Sequence, residues 1–129
     1  DPYVRSHGIK LISIDDRSAT LEVIIQKHQL NFLGSVHGGC LFTLADTAFG
    51  LTANCAGLDT VSVGIDTHMA FVRGCKVGDR IRANAWEVFR SKRTAVFRVD
   101  LSCEGDLIAI FTGTVYVTER VLEEPVYAP

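Results

Sequence analysis

The sequence predicts an α+β fold in which one long helix packs on the concave face of a curved antiparallel sheet. Two observations support this prediction. Only one stretch, from about residue 39 to residue 56, has the length and apolar spacing of a long helix. The rest of the chain consists of segments with alternating apolar residues, separated by turn-forming residues. Because short turns join antiparallel neighbours, we expect one sheet and a single domain over residues 1–129.

The order of the predicted elements is strand, strand, helix and four strands in a meander. Residues 1–8 are expected to form a polar arm, residues 28–33 a connector, and residues 119–129 a polar tail. Gly57 is a plausible end of the helix. An open sheet has an unpaired edge, so the fold also predicts a dimer in which two sheets join edge to edge. Strands are predicted at residues 9–14, 19–26, 60–71, 80–89, 94–103 and 107–118.

Composition excludes several classes of function. The chain is 47% hydrophobic and 22% charged with a net charge of −2, which is typical of a globular protein and not of a nucleic-acid binder. Asp46 and Asn54 interrupt the apolar run of residues 40–56, so we expect no membrane span, and no signal peptide is evident. The four cysteines form no C-x-x-C pair and no zinc pattern with histidine, so we expect free thiols, a reducing cytoplasm and no metal.

The stretch that begins the predicted helix carries the candidate site. Gly38 and Gly39 stand where the first helical amides have no internal partner, and such amides form an anion site at the positive end of the helix dipole. Asp46 follows inside an otherwise apolar or small run, where we expect a buried carboxylate. A carboxylate with few partners in an apolar setting is costly, and it is a candidate for catalysis.

These residues resemble the PaaI-type (phenylacetate-pathway) group of hotdog-fold acyl-CoA thioesterases. The resemblance spans about residues 31–117 and is strongest where His37-Gly38-Gly39 is followed by Asp46 within Leu-Ala-Asp. Further matching residues are Asn31, Gly34, Thr47, Ala48, the strand from Asp66 to Phe71, Gly78-Asp79 and the stretch Phe111-Thr112-Gly113-Thr114-Val115.

The resemblance implies the role of each site residue. Asp46 would act as nucleophile or general base on the thioester, and the Gly38 amide would polarise its carbonyl, with Gly39 beside it. Asn31 and His37 would position the substrate and the water. Many relatives carry Ser or Thr at the position of Gly64, two residues before Asp66, where it helps to hold the attacking water. Here Ser62 or Thr67 would have to substitute, or the site relies on Asn31 alone.

The spacing of these groups predicts an obligate dimer. Gly38 and Asp46 are eight residues apart, which is about 12 Å along a helix, too far for both to touch one thioester carbon. Two subunits with antiparallel helices would form two composite sites. The resemblance adds a homotetramer, an acyl-CoA substrate, and no cofactor, because coenzyme A is part of the substrate; we expect no nucleic-acid or membrane partner.

Each feature also has a structural interpretation. Asp46 could be a buried structural acid, His37 a helix cap, Asn31 a turn residue, and Gly38 and Gly39 turn glycines. Cys40 is interpreted as a core residue. The basic side chains Arg73, Arg90, Lys92 and Arg93 are most often a solvated face, although one or two could contact the CoA phosphates. The aromatic side chains Phe42, Phe49, Phe71 and Trp86 are expected in the core, with some available to line an acyl pocket.

The expected function is hydrolysis of acyl-CoA with an aryl, hydroxyaryl or short-to-medium acyl group. One alternative is a hotdog hydratase or dehydratase on 3-hydroxyacyl thioesters, which needs a histidine base paired with an acid. The other is a non-catalytic acyl-CoA-binding module, which would need an attached effector domain for which these 129 residues leave no room. Release of free CoA distinguishes the thioesterase from both alternatives.

Overall fold

The computed structural model describes residues 1–55 and 60–121. It has the predicted class, an antiparallel sheet with one long helix. Residues 56–59 and 122–129, which include the predicted helix end at Gly57 and most of the predicted polar tail, lie outside the described residues. The elements are α1 (Pro2–Ser6), β1 (Lys10–Ile14), β2 (Ser18–Ile24), a 3-10 turn (Lys27–Gln29), α2 (Gly38–Asn54), β3 (Thr60–Phe71), β4 (Arg80–Arg90), β5 (Thr94–Cys103) and β6 (Asp106–Val121).

The polar arm expected at the N-terminus is a short helix instead. The Asp1 carboxylate accepts hydrogen bonds from the backbone N–H groups of Tyr3 and Val4, at 3.0 and 3.3 Å, and Pro2 stands at the first helical position. An acidic cap followed by proline is a standard helix start, so the signal was present in the sequence. No residue of α1 is buried, and therefore apolar periodicity did not reveal it.

The sheet has six strands in the order β1-β2-β4-β5-β6-β3, all antiparallel. The predicted meander of four strands is therefore wrong for β3, which pairs with β6 and not with β4. β3 runs from Thr60 opposite Val121 to Phe71 opposite Ala109. β4, β5 and β6 do form a meander. This arrangement leaves β3 at one edge of the sheet and β1 at the other.

The connection from β3 to β4 crosses the end of the sheet beside the start of α2. Val72 and Arg73 donate backbone hydrogen bonds to the Ile108 carbonyl, and the Cys75 carbonyl accepts from Val36 N–H at 2.8 Å. At the far end, Ile25 N–H donates to the Asp79 carbonyl. The connection therefore brings the chain to β4, beside β2, and it holds the residues that precede α2 in place.

α2 lies on the sheet face formed by the alternating inward residues of β2, β4, β5 and β6. Leu44, Ala45 and Ala48 have no exposed surface, and the two small alanines bring the helix close to the strands. β5 alternates strictly between buried and half-buried residues, which is the pattern of a strand with one covered face. The core residues with the largest fully buried side chains are Phe97, Phe111, Leu21, Ile25, Leu41, Leu44, Ile81, Leu101 and Ile108.

Trp86, which was expected in the core, lies outside it. Trp86 is half-buried and pairs in register with Arg98, whose guanidinium carbon lies 5.7 Å from the centre of the indole ring. Val88 falls on the same face as Trp86 by strand alternation and is 58% exposed. A register shift between Glu87 and Phe89 then reverses the alternation, so Phe89 also faces outward and is 56% exposed. A β-bulge of this kind cannot be read from apolar spacing.

Candidate functional site

A cleft of about 580 Å³ lies between α2 and the edge strand β3. Four of the predicted site residues line it: Asp46 from the helix and Gly64, Asp66 and Thr67 from the strand. Its other lining residues are Phe42, Phe49, Gly50, Ile65 and Val115. The lining residues that come from α2 have the spacing of a single helix face, so one face of α2 lines the cleft.

Asp46 is exposed in the single chain, which corrects the expectation of a buried carboxylate. The reason is topological, because β3 is the edge strand and no described residue forms a strand beyond it to cover this face of α2. Partial desolvation by the neighbouring aromatic and strand residues nevertheless raises the pKa of the Asp46 carboxyl above its ordinary value. The carboxylate accepts no hydrogen bond from any residue that the structure describes, so it is free to act on a ligand.

The N-terminus of α2 leaves one amide free. His37 is the N-cap, and its Nδ1 accepts the Gly39 N–H at 2.8 Å. The next two amides, of Cys40 and Leu41, both donate to the His37 carbonyl, at 2.9 and 3.4 Å. The Gly38 N–H, within the part of the chain that the structure describes, donates to no acceptor. The orphan donor is therefore the amide that the motif assigns to the thioester carbonyl.

Phe71 lies beside this free amide and is not part of the core. It is 56% exposed, and a Cβ placed on Gly38 would lie 3.1 Å from the tip of its ring. Phe71 ends β3, so this contact joins the strand edge to the start of α2. The expectation that Phe71 is a core residue is wrong, because hydrophobicity alone does not show that a strand end lies at the sheet edge.

Asn31 organises the loop that leads into α2. Its side-chain oxygen accepts from Leu33 N–H at 2.9 Å and from Ser35 N–H at 3.2 Å. Its own N–H donates to the Ser35 carbonyl at 2.7 Å. The turn interpretation of Asn31 therefore has direct support, and the side-chain Nδ2 is the part left for a ligand. Phe32 and Leu33, which this loop displays, are 95% and 76% exposed.

The strand wall of the cleft contains a register shift between Gly64 and Asp66. Gly64 is in register with the buried Val115, and Thr67 with the buried Gly113, so both belong to the helix-facing side. Asp66 pairs with the half-buried Thr114, on the other face. Ser62, the other hydroxyl considered in place of the missing Ser or Thr, is buried at the far end of α2. Thr67 is therefore the hydroxyl that the fold brings into the cleft.

The chain alone does not bring the free amide and the carboxylate together. Gly38 and Asp46 lie on the same face of one continuous helix. Eight residues of α-helix span about 12 Å, and a reacting atom needs both groups within about 3 Å. Within one subunit, the two halves of the predicted machinery are therefore separate.

The predicted basic contacts are scattered over the molecule. Arg73 pairs with Asp106 at 3.2 Å, Arg90 with Glu87 at 2.6 Å, and Arg93 with Glu119 at 3.3 Å. Arg73 follows β3 near the start of α2, whereas Arg90, Lys92 and Arg93 surround the turn between β4 and β5. None of the four lines the cleft. The pairs of Arg73 and Arg93 are exposed and fit the interpretation as a solvated face, whereas the pair of Arg90 is half-buried.

The cysteines are free thiols, and burial raises the pKa of each one. Cys40 is 6% exposed, in agreement with a core role. For Cys75 the pKa rises to about 11, through burial and the nearby Cys103 and Asp79. A thiol with a raised pKa is a poor nucleophile at neutral pH, so none of the four is a good candidate nucleophile.

The residues that the structure describes, 1–55 and 60–121, contain no candidate metal site and no candidate membrane span. No three His, Cys, Asp or Glu side chains come together in a group that could hold a metal ion. No helix there combines the length and the apolar character needed to cross a membrane. A second cavity, of about 400 Å³, lies between α1, the start of β1 and the end of β2, and it contains none of the predicted site residues.

The packing of Phe49 against two glycines at the cleft was not predicted from the sequence. A Cβ on Gly113 would lie 2.7 Å from two atoms of the Phe49 ring, and a Cβ on Gly64 would lie 3.3 Å from a third. Glycine inside a strand often marks the close approach of another group, so Gly113 was the available signal. The side chain that packs against Gly113, Phe49 of α2, could not be predicted without the register of the strands.

Comparisons with known proteins agree with this fold. A family model described as "Thioesterase superfamily" matches residues 33–110. The acyl-coenzyme A thioesterase PaaI of Escherichia coli K12 is 32% identical over 114 residues, which is 88% of this chain and 80% of that protein.

Solved structures give the same result. The E. coli PaaI structure matches with a TM-score of 0.89 and 30% identity, covering 94% of this chain and 87% of that one. A mutant of the phenylacetic acid degradation protein PaaI from Thermus thermophilus matches with a TM-score of 0.84 and 37% identity, covering 90% and 98%. The chain therefore belongs to the thioesterase superfamily, and it is a hotdog-fold enzyme of the PaaI type.

Proposed function

We propose that this chain hydrolyses acyl-CoA thioesters that carry an aryl, hydroxyaryl or short-to-medium acyl group. The observation that carries the proposal is the unpaired Gly38 N–H at the start of the helix that presents Asp46 to the cleft. The name of the E. coli relative, an acyl-coenzyme A thioesterase, supports the choice of substrate class.

The two groups fit the two demands of the reaction. Attack on the thioester carbon places negative charge on the carbonyl oxygen, and the Gly38 N–H at the positive end of α2 would stabilise it. Asp46 would either take a proton from the attacking water and pass it to the departing thiolate, or attack the carbon itself. In the second case water then hydrolyses the resulting anhydride. Either route yields one free acid and one CoA thiol per water consumed.

Two further side chains complete this proposal. Thr67 takes the place of the missing Ser or Thr at Gly64 and holds the water, because it lines the cleft together with Asp46. His37 uses Nδ1 as an acceptor for the Gly39 N–H, so in the neutral ring Nε2 carries the proton and can donate it in a hydrogen bond to the substrate.

The active unit in this proposal is a homodimer. Gly38 and Asp46 lie four residues to either side of Phe42, so a twofold axis opposite Phe42 would set the amide of one copy against the carboxylate of the other. The β3 edge is apolar enough for such a contact, with Ile65 59% and Val72 58% exposed. The loop that displays Phe32 and Leu33 lies against the connection that follows β3, since Ser35 Oγ donates to the Cys75 carbonyl at 3.1 Å.

Some finer features stay predictions. A role in phenylacetate degradation and pairing of dimers into a homotetramer rest on the family resemblance. A cytoplasmic location rests on the four free cysteines. Contact between CoA phosphates and Arg73, Arg90, Lys92 or Arg93 rests on the opposite charges of the two groups.

The first experiment is hydrolysis of an acyl-CoA panel, from acetyl to decanoyl with phenylacetyl and hydroxybenzoyl, followed by CoA release. Asp46→Asn is expected to lower turnover at least about a hundredfold while circular dichroism stays native. Asp16→Asn, the same change in the exposed β1–β2 turn, is the control. If the wild type binds every ester without releasing CoA, the result would favour the non-catalytic acyl-CoA-binding module. An acyl group that is changed but still attached to CoA would favour the hydratase or dehydratase.

The role of the Gly38 amide can be tested by replacing that donor alone. Gly38 is the first helical residue, where proline is well tolerated, and His37 has φ −67° and ψ 133°, the conformation preferred before proline. Gly38→Pro removes the N–H, whereas Gly38→Ala retains it and adds the same Cβ beside Phe71. Proline is expected to lower kcat by about 10²–10³ relative to alanine. Equal activity of the two variants would remove the amide from the mechanism.

Mixed dimers test whether the site is shared between subunits. Subunits with Asp46→Asn and subunits with Gly38→Pro are mixed, unfolded and refolded together. A heterodimer would have one site with both defects and one site with none, so random pairing should restore about a quarter of wild-type activity. If each site belongs to one chain, mixing restores nothing.

A further inference from the structure

Asp46 stands between two aromatic rings on the helix face that lines the cleft. Phe42 is one turn before it and Phe49 one turn after it. Phe42 and Phe49 both contact Phe111 of β6, with ring centres 5.6 and 5.5 Å apart. An acyl group that reaches Asp46 therefore meets aromatic walls in both directions along the helix.

The ring of Phe49 closes the gap between α2 and the sheet. It occupies space that side chains at residues 64 and 113 would otherwise fill, since Cβ atoms there would lie 3.3 and 2.7 Å from it. Both positions are glycine, so the sheet contributes only backbone at this point. The end of the cleft is consequently formed by one side chain from the helix.

This wall is rigid. Phe49 is 3% exposed and packs against Phe97 with ring centres 5.7 Å apart, in addition to its contact with Phe111. A ring held on two sides by other rings, and from below by strand backbone, has no free rotamer into which to swing. It acts as a fixed end to the cleft and not as a gate.

We propose that Phe49 sets the maximum acyl length by blocking the space over Gly64 and Gly113. This inference rests on the proposed function, because it places the acyl group in the cleft beside Asp46. It narrows the substrate class to compact groups, aryl or short-chain, and excludes long straight chains. The matching glycines are what allow so large a ring to fill the end of the cleft.

The test uses S-alkyl-CoA thioethers, which resemble the substrates but cannot be hydrolysed. Calorimetry of a series from ethyl to dodecyl should show affinity that rises about fourfold with each buried methylene. The rise should stop where the chain meets the ring of Phe49, and longer chains should gain nothing. Phe49→Leu is expected to move this break to a chain that is longer by one or two methylenes.

Two other variants make the test specific. Phe97→Leu shortens a buried ring that contacts Phe49 but does not line the cleft, so the break should not move. Gly64→Ala adds a methyl group on the cleft side and should move the break to shorter chains. The added Cβ lies 3.3 Å from the Phe49 ring, which has to shift by only a few tenths of an ångström, so this variant keeps the proposal testable if Phe49→Leu does not fold.

The outcomes separate this inference from the proposed function. In one outcome, the chain length at which affinity stops rising changes in the Phe49 and Gly64 variants, but the protein releases no CoA from any ester. This result would support the role of Phe49 in limiting acyl length and overturn the proposed hydrolysis. In another outcome, the protein hydrolyses acyl-CoA, but the limiting chain length is the same in both variants or no limit is seen. This result would overturn only the role of Phe49. Failure of every thioether to bind would overturn both.

Discussion

The Nδ1 atom of His37 accepts the Gly39 N–H at 2.8 Å, so the imidazole caps α2 next to Gly38, whose N–H has no acceptor among the described residues. Capping and substrate contact can be separated by substitution. His37→Asn retains a good N-cap, whereas His37→Ala loses it at a cost of about 0.5–2 kcal/mol in unfolding free energy. Both remove the Nε2–H.

Chemical denaturation and steady-state kinetics check this prediction. We expect His37→Asn to unfold near the wild-type midpoint and His37→Ala to unfold earlier, with a similar loss of kcat/KM in both. If activity instead follows stability across the pair, His37 is only a cap.

The activity should depend on the ionisation of Asp46. Burial raises the pKa of this carboxyl, and the ionised form is the base or nucleophile. We therefore expect kcat/KM to fall on the acid side, with an inflection above the ordinary aspartate value of 3.8. The measurement is a pH–rate profile for wild type and for Asp16→Asn, which should share the inflection. An acid limb at or below the ordinary value would contradict the prediction.

The same shift predicts that Asp46 lowers stability. Between the ordinary pKa and the raised pKa the folded chain binds more protons than the unfolded chain, so stability falls as pH rises through that window. Asp46→Asn should therefore have a higher Tm than wild type at neutral pH. The difference should disappear below the ordinary aspartate pKa. Thermal unfolding at both pH values tests this, and a lower Tm for Asp46→Asn at neutral pH would contradict it.

Asn54 should anchor the first residues of β3. Its Oδ1 accepts the Ser62 N–H at 2.8 Å, and its Nδ2 donates to the Ser62 carbonyl at 3.1 Å. Asn54→Ala leaves both backbone groups without that partner and should cost about 1–3 kcal/mol. Asn54→Asp restores only the acceptor and adds charge at the negative end of α2, so it should not recover stability. Asn84→Ala, on the outer face of β4, is the control in urea unfolding and should change little.

The β3 edge should be required for assembly. Val63 and Val72 are 45% and 58% exposed, and lysine at both positions would place charge in the contact between subunits. Sedimentation velocity should show a smaller species, and activity should fall with the dimer fraction. Val88→Lys, at a similarly exposed valine of β4, should change neither. An active monomer would contradict the composite site.

The fold could be predicted from the sequence wherever contacts are local. β5 has the predicted bounds because its alternation from Thr94 to Cys103 is unbroken. The place of β3 could not be predicted, because its pairing with β6 joins residues such as Thr60 and Val121 that are far apart in the chain. The spacing of apolar residues indicates where strands lie, but it does not show which strands pair.

The site was predictable to the same extent. The motif located His37, Gly38 and Asp46, and the structure shows the one free amide among them. Exposure of Asp46 depends on β3 being the edge, and the presence of Thr67 in the cleft depends on the register of β3 after Gly64. Neither is a property of the local sequence.

The pairing of β3 also has a consequence for folding. β4, β5 and β6 can form by successive hairpins, but β3 pairs with β6 across a long separation in the chain and has a neighbour on one side only. Closing that loop costs entropy before the contact forms, so β3 should dock last and show the weakest protection against amide hydrogen exchange. β3, which carries Thr67, would then be the first strand to separate from the sheet in an isolated chain. Association with a second copy would hold it closed.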